Sequence, residues 1–279
     1  MVNYGYHLAR ARGRLVEAVY SSFLPQIVMR DVKCAADIPM DVFSYSGRRR
    51  LAEQVASIRS FLKNAGRPKR FVVVSDGTHS PNDVELLRRI DRCVSVDQVP
   101  PPPTAAPAFM DSYLRTHPTG KQLALLMSLP PRDLPAFYVD SDVLFFAAAS
   151  ELGQHFAGLT APAYYLEDCG FAGDARLLRG DDEKSGPVNI GALLFQRPLD
   201  WAVSMNRFLE LGGEPNFFSG QTMTHLAMHA NGAQPFDRAK YVLQLDDQFV
   251  YADRYAGSQI VLRHYVNPVR HKFWTSLTC

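Results

Sequence analysis

The sequence predicts an α/β fold with a mainly parallel central sheet flanked by helices. Strand-like and helix-like segments alternate from residue 40 with short connections, as in βαβ units. In addition, Phe71–Val74 is a continuous apolar run, typical of a strand buried on both faces. With 47% hydrophobic and 21% charged residues, the composition is that of a globular protein and argues against a disordered or collagenous chain.

The elements follow in order along the chain. Residues 40–45 read as a strand, and apolar residues at helical spacing between Leu51 and Leu62 predict a helix that ends near Gly66. The next helix is marked by an N-cap residue, Ser80, and by Pro81 at its first position. Further strands are predicted at 94–96, 136–139, 161–167 and 188–195, and further helices at 119–129, 200–211 and 219–230.

These elements predict two parts of unequal size. Residues 1–39 form a helical extension, and residues 40–279 form one domain with a nucleotide-binding half, 40–146, and an acceptor-side, metal-completing half, 147–279. Prolines at 100–103 and 107 predict a stiff connection within the first half.

The extension is basic and amphipathic. Apolar residues recur at helical spacing in 15–24, and residues 1–50 carry an excess of four basic over acidic residues. Such a helix either packs on its own fold or contacts an anionic membrane through residues 1–30. The net charge of the whole chain is only +2, so we expect no general nucleic-acid binding.

The chain is expected in the cytoplasm, with peripheral contact at the inner membrane face as an option. Four scattered cysteines predict free thiols, and no apolar run approaches the roughly 18 residues of a membrane span. The N-terminus also lacks the order of a signal peptide.

The most informative segment is Asp140-Ser141-Asp142, which follows an apolar strand. Ligands of open α/β sheets bind at the carboxyl ends of the strands, where these two carboxylates would lie. Two carboxylates among apolar residues favour a divalent cation, Mn²⁺ or Mg²⁺, although Asp-x-Asp alone also fits an ordinary strand end.

Three downstream features strengthen the metal interpretation. Asn189 and Gly191 begin an apolar strand, where glycine lets a ligand approach the backbone. Gln221 lies at the start of a helix. His264 follows a strand, and the nearby cations Arg270 and Lys272 could meet phosphate oxygens.

In this order the motifs resemble those of GT-A-fold glycosyltransferases, and most closely those of family 8, the glycogenin and bacterial galactosyltransferase type. The resemblance spans roughly residues 40–274. It implies a Rossmann-like, mainly parallel sheet with a mixed acceptor-side half, and transfer from a nucleoside-diphosphate sugar, with UDP favoured, to a glycan or glycolipid acceptor. Polysaccharide biosynthesis is the implied setting.

The resemblance also implies roles for individual residues. Asp140, Asp142 and His264 would hold Mn²⁺ or Mg²⁺, with Asp142 and Gln221 at the reacting centre. The candidates for the donor-binding side are Ser44, Tyr45, Asp76, Lys121, Asp140, Ser141, Asn189, Gly191, Arg270 and Lys272. The family's C-terminal motif is matched imperfectly, so either Arg270 or Lys272 would bind the diphosphate.

Gln221 cannot act as a strong nucleophile, and the resemblance favours retention of anomeric configuration. Inversion would require a carboxylate base, for which Asp246 or Asp247 could serve. Other functions also fit paired aspartates: a Mg²⁺-dependent phosphatase, a nucleotidyltransferase, or an inactive nucleotide-sugar-binding scaffold. Turnover of a nucleotide-sugar separates these hypotheses.

Overall fold

A seven-stranded sheet forms the centre of the protein. The computed structural model describes residues 3–102, 108–129, 134–155 and 160–277, so part of the predicted proline connection lies outside the described residues. Within these residues the strands are β1 (Asp37–Ser46), β2 (Arg67–Ser75), β3 (Val94–Gln98), β4 (Ala136–Val139), β5 (Val143–Phe145), β6 (Ala163–Glu167), β7 (Val188–Phe195), β8 (Gln234–Pro235), β9 (Tyr241–Val242) and β10 (Leu262–His264).

The strand order of the central sheet is β3-β2-β1-β4-β7-β6-β8. Strands β3, β2, β1 and β4 run parallel, whereas β7 is antiparallel to both of its neighbours, β4 and β6. The predicted parallel half and mixed second half are therefore both present. The apolar run in β2 is covered on both faces, since Phe71 and Val73 are completely buried and Val72 and Val74 are nearly so.

Helices pack on both sides of this sheet. They are α1 (Tyr4–Ser22), α2 (Leu24–Val28), α3 (Leu51–Asn64), α4 (Pro81–Arg88), α5 (Ala108–Thr116), α6 (Pro118–Met127), α7 (Leu152–His155), α8 (Ala202–Leu209) and α9 (Ser219–Ala230). The start of α4 agrees with the sequence, since Ser80 and Asp83 form a reciprocal capping box with Pro81 at the first position. Helix α9 and strands β4 and β7 have the predicted bounds.

A second sheet of three short strands, β5-β10-β9, lies beside the end of β4. Strand β5 follows directly after the two aspartates, and β10 pairs with it antiparallel, so that His264 lies opposite Val143. The backbone N–H of Tyr265 also donates to the carbonyl of Asp142, 2.9 Å away. This small sheet therefore fixes the C-terminal segment beside the carboxyl end of β4.

Helix α1 packs against the C-terminal segment of its own chain. At Gly13 the helix approaches so closely that an added Cβ would lie 2.3 Å from the carbonyl oxygen of His271. The opposite face carries exposed apolar side chains, including Leu8 and Leu15. Among the described residues, no helix is long and apolar enough to cross a membrane.

Candidate metal and nucleotide-sugar site

Two carboxylates and an imidazole meet where β4 ends. Nε2 of His264 lies 3.1 Å from Oδ1 of Asp142 and 3.7 Å from Oδ2 of Asp140. One ligand atom from each of these three residues falls within 4.8 Å of the other two. Asp142 and His264 are buried, whereas the Asp140 side chain is 22% exposed. The structure thus brings together the three residues that the sequence predicts as metal ligands.

Asp140 is held in place by two neutral donors. The Tyr138 hydroxyl donates to Oδ1 of Asp140 at 2.7 Å, and the Gln122 amide donates to the same oxygen at 3.0 Å. Both groups donate to the same oxygen, Oδ1, and the other oxygen of Asp140, Oδ2, faces His264. Burial raises the pKa of Asp140, and the neighbouring His264 offsets only part of that effect.

The tautomer of His264 follows from its contact with Asn189. The amide oxygen of Asn189 accepts the Gly191 N–H at 2.8 Å, and its amide nitrogen donates to Asp168 at 2.8 Å, which fixes the orientation of the amide. Nδ1 of His264 lies 2.9 Å from the same oxygen and must donate to it, because an amide oxygen only accepts. Nε2 therefore faces the carboxylates, as in a metal-bound histidine oriented by a second partner.

Asn189 and Gly191, both predicted on the donor side, also support the metal ligands. The described contacts of Asn189 are with Asp168, Gly191 and His264. An added Cβ at Gly191 would lie 2.1 Å from Nδ1 of His264. The close approach of the imidazole ring is thus a reason for glycine at this position.

Arg270 connects the triad to a further carboxylate. Its guanidinium forms a close ion pair with Asp142 and a second one with Glu53, 3.1 Å away. Burial acts to raise the pKa of Asp142, but His264 and Arg270 outweigh it and hold that pKa below its usual range. Burial also raises the pKa of Glu53, and the positive charges of Arg270 and Arg50 offset only part of this increase. Of the two cations proposed for the diphosphate, Arg270 is the one at the site.

Lys272 lies elsewhere. Its side chain is fully buried, and its ammonium contacts Asp247 at 3.2 Å and donates to the backbone carbonyls of Val250 and Ala252. Asp247 also accepts from Arg263, at 2.8 Å, in the same buried cluster. Lys272 therefore holds the C-terminal fold together instead of facing the aspartates, because its three donors already have protein partners.

The residues predicted at the ends of β1 and β2 differ in their surroundings. Ser44 is fully buried and donates to Gln54 at 2.9 Å, so its hydroxyl is used inside the fold. The Tyr45 hydroxyl is buried and has no hydrogen-bond partner among the described residues. The Lys121 ammonium donates to the backbone carbonyl of Asp76 at 3.0 Å. Lys121 and Asp76 are thus adjacent in the structure.

Gln221 and Ser141 complete the set predicted from the sequence. Gln221 lies in the first turn of α9 and is partly exposed, and no hydrogen bond joins its side chain to another described residue. Ser141 is buried in the turn between the two aspartates.

The sequence analysis did not predict two residues of the site, Tyr138 and Glu53. Tyr138 could have been predicted as a partner of Asp140, because side chains two positions apart along a strand lie on the same face.

The donor set fits a divalent cation. Two carboxylates supply hard oxygen ligands, and Nε2 of His264 faces both of them. The second partners of Asp140 and His264 orient these ligand atoms, as is usual around protein-bound metals.

Comparison with solved structures identifies the fold. The chain resembles the galactosyltransferase LgtC, solved in complex with donor and acceptor sugar analogues, with 13% identity, a TM-score of 0.55, and coverage of 85% of this chain and 95% of that chain. The chain has the GT-A fold. The prediction from the sequence motifs is confirmed at this level.

Two further structures share the GT-A fold with this chain. Mouse xyloside xylosyltransferase 1 matches with 13% identity and a TM-score of 0.52, over 84% of this chain and 99% of that chain. The glycosyltransferase GlyE of Streptococcus pneumoniae TIGR4 matches with 11% identity and a TM-score of 0.52, over 87% of this chain and 61% of that chain. No protein-family model and no curated protein sequence matches the chain.

Proposed function

We propose that this protein is a metal-dependent glycosyltransferase that moves a sugar from a nucleoside-diphosphate sugar, with UDP as the favoured nucleotide, to a glycan or glycolipid acceptor. The observation that carries the proposal is the Asp140, Asp142 and His264 cluster at the carboxyl end of β4. In open α/β folds this end is the ligand-binding edge. The shared fold with LgtC, which was solved with donor and acceptor sugar analogues, supports the substrate class.

Mn²⁺ or Mg²⁺ bound by the three ligands would neutralise charge on the diphosphate leaving group. Arg270 would add a second positive charge beside the same phosphates, where its forked N–H groups suit phosphate oxygens. Asp76 and Lys121 would face the nucleoside. These roles divide the site into a phosphate side at Arg270 and a nucleoside side at the ends of β1 and β2.

We further propose that transfer retains the anomeric configuration, with Gln221 close to the reacting carbon. The contacts of Asp247, one of the two alternative bases, support this choice. Asp247 is fully buried between Arg263 and Lys272, which leaves no access for an acceptor hydroxyl. Asp246 is exposed and accepts a hydrogen bond from Tyr255 at 2.8 Å.

The test is donor hydrolysis over a panel of nucleotide-sugars with Mn²⁺, Mg²⁺ or EDTA. We expect slow, metal-dependent release of one nucleoside diphosphate that is abolished in Asp142→Asn and unchanged in Asp97→Asn, an exposed aspartate on β3. The anomeric configuration of the released sugar, followed by NMR, distinguishes retention from inversion. If no donor is cleaved and none shifts the melting temperature in the presence of metal, the transferase proposal fails. Turnover of a phosphomonoester would then favour the phosphatase alternative.

A peripheral contact of residues 1–30 with an anionic membrane is a separate part of the proposal. Its support is the outer face of α1, where the exposed apolar residues Tyr4, Leu8, Leu15 and Val19 lie beside Arg12. We expect co-sedimentation with phosphatidylglycerol vesicles but not with phosphatidylcholine vesicles, and loss of binding in Leu8→Gln/Leu15→Gln. Equal binding by that variant would contradict the contact.

A further inference from the structure

A cavity of about 290 Å³ lies between α1, the start of α3 and the C-terminal segment. It shares Arg270 with the metal site, because Arg270 both lines the cavity and contacts Asp142. The wall formed by α1 is closely packed, since Gly13 lies against the backbone of His271 and Tyr6 contacts the His271 ring edge-on at 5.4 Å.

The lining of this cavity is cationic. Its charged residues are Arg10, Arg14, Arg50, Arg270, Glu17 and Glu53. Glu53 is paired with Arg50 and with Arg270. The guanidinium of Arg10 donates only to the hydroxyl of Tyr6, at 3.0 Å, and Arg14 has no hydrogen bond or ion pair with another described residue. The cavity therefore holds two more cations than anions, and two of its arginines lack a carboxylate partner.

Two buried polar atoms of the lining residues are also unsatisfied. Nε of Arg270 and Nε2 of His271 are both inaccessible to solvent and have no hydrogen-bond partner. Buried polar groups without a partner are uncommon in native proteins, and both of these atoms belong to residues that line the cavity. This observation is independent of the charge excess and concerns the same cavity.

We propose that this cavity is a phosphate-binding pocket in which α1 supplies Arg10 and Arg14. Several arginine forks around one cavity suit the oxygens of a phosphate group, which accept paired N–H bonds. The shared residue Arg270 places the bound phosphate beside the metal site. Two sources have this chemistry: the diphosphate of the donor, or a phosphate group carried by the acceptor. The choice between these sources rests on the proposed function, whereas phosphate binding itself does not.

The experiment compares two double variants with the same change in charge. Arg10→Gln/Arg14→Gln removes the two unpaired arginines of the pocket, and Arg88→Gln/Arg92→Gln removes two exposed arginines outside its lining. Binding of inorganic pyrophosphate, without metal or donor, is measured by calorimetry at fixed ionic strength. Arg14→Gln alone serves as a second pocket variant, because Arg14 is exposed and its loss should not disturb folding, which the melting temperature checks.

We expect pyrophosphate binding to weaken at least tenfold in the pocket variant and less than twofold in the control. Equal weakening in both variants, or no binding by the wild-type protein, would overturn the pocket. UDP with Mn²⁺ and octyl phosphate then distinguish the sources. Weaker UDP binding in the pocket variant assigns the phosphate to the donor, and weaker octyl phosphate binding alone assigns it to a lipid-linked acceptor. A protein that cleaves no nucleotide-sugar but shows the pyrophosphate effect would refute the transferase and keep the pocket.

Discussion

Replacing Gly191 by alanine should weaken metal binding by displacing His264. The new Cβ would lie 2.1 Å from Nδ1 and 2.3 Å from Cε1 of the imidazole ring, whereas ordinary contacts begin at 3.4 Å. The ring must therefore retreat by more than 1 Å. Metal–ligand distances vary by only about 0.2 Å, so His264 should be lost as a well-placed ligand. We expect Mn²⁺ affinity to fall at least tenfold, or about 1.4 kcal/mol.

Calorimetric titration with Mn²⁺ measures this effect directly and does not require a sugar donor. The matched control is Gly212→Ala, because an added Cβ at Gly212 meets no atom within 4 Å. Overpacking should also cost about 1–3 kcal/mol of folding stability in Gly191→Ala, which thermal unfolding records. Mn²⁺ affinity within twofold of wild type in a folded Gly191→Ala protein would refute the assignment of His264 as a ligand held by close packing.

Three other perturbations probe separate contacts. Asn189→Ala removes the acceptor for Nδ1 of His264 and should reduce Mn²⁺ affinity about 10- to 100-fold by titration, and an unchanged affinity would contradict the tautomer assigned here. Burial acts to raise the pKa of Asp247, but hydrogen bonds from Arg263 lower it overall. The stability that Asp247 contributes is thus present above the unfolded pKa of about 3.9 and lost as the pH falls. Urea unfolding should show the deficit of Asp247→Asn to be largest at pH 6 and smaller at pH 3, and a constant deficit would argue against the ion pair. Ser80→Ala breaks the capping box and should cost about 1 kcal/mol in urea unfolding, without an effect on Mn²⁺ binding.

The carboxyl end of β4 could be predicted from the sequence because its signals are local. A buried apolar strand followed at once by Asp140 and Asp142 indicates both the strand and the edge of the sheet where they lie. The cap at Ser80 is equally local, since its partner is three residues away.

The contacts between distant segments could not be predicted in the same way. His264 reaches Asp142 across 122 positions of sequence through the pairing of two three-residue strands, so it was predicted as a ligand from the order of the motifs and not from a local pattern. Arg270 and Lys272 differ by only two positions, and a short 3₁₀ turn sends one to the aspartates and the other into a buried cluster. The spacing of these two residues in the sequence does not show that their side chains lie in different parts of the fold.

The ion pair between Arg270 and Asp142 means that the protein carries its own counter-ion at the place where a cation would bind. Repulsion between the aspartates is thereby relieved without metal, so the fold should persist in chelator and metal binding should be reversible. The affinity measured for Mn²⁺ would then be a net value. It would equal the free energy gained on binding the ion less the free energy lost when the guanidinium of Arg270 leaves Asp142. Raising the metal concentration or weakening the ion pair of Arg270 would both increase occupancy, so residue 270 should set the metal concentration at which the site fills.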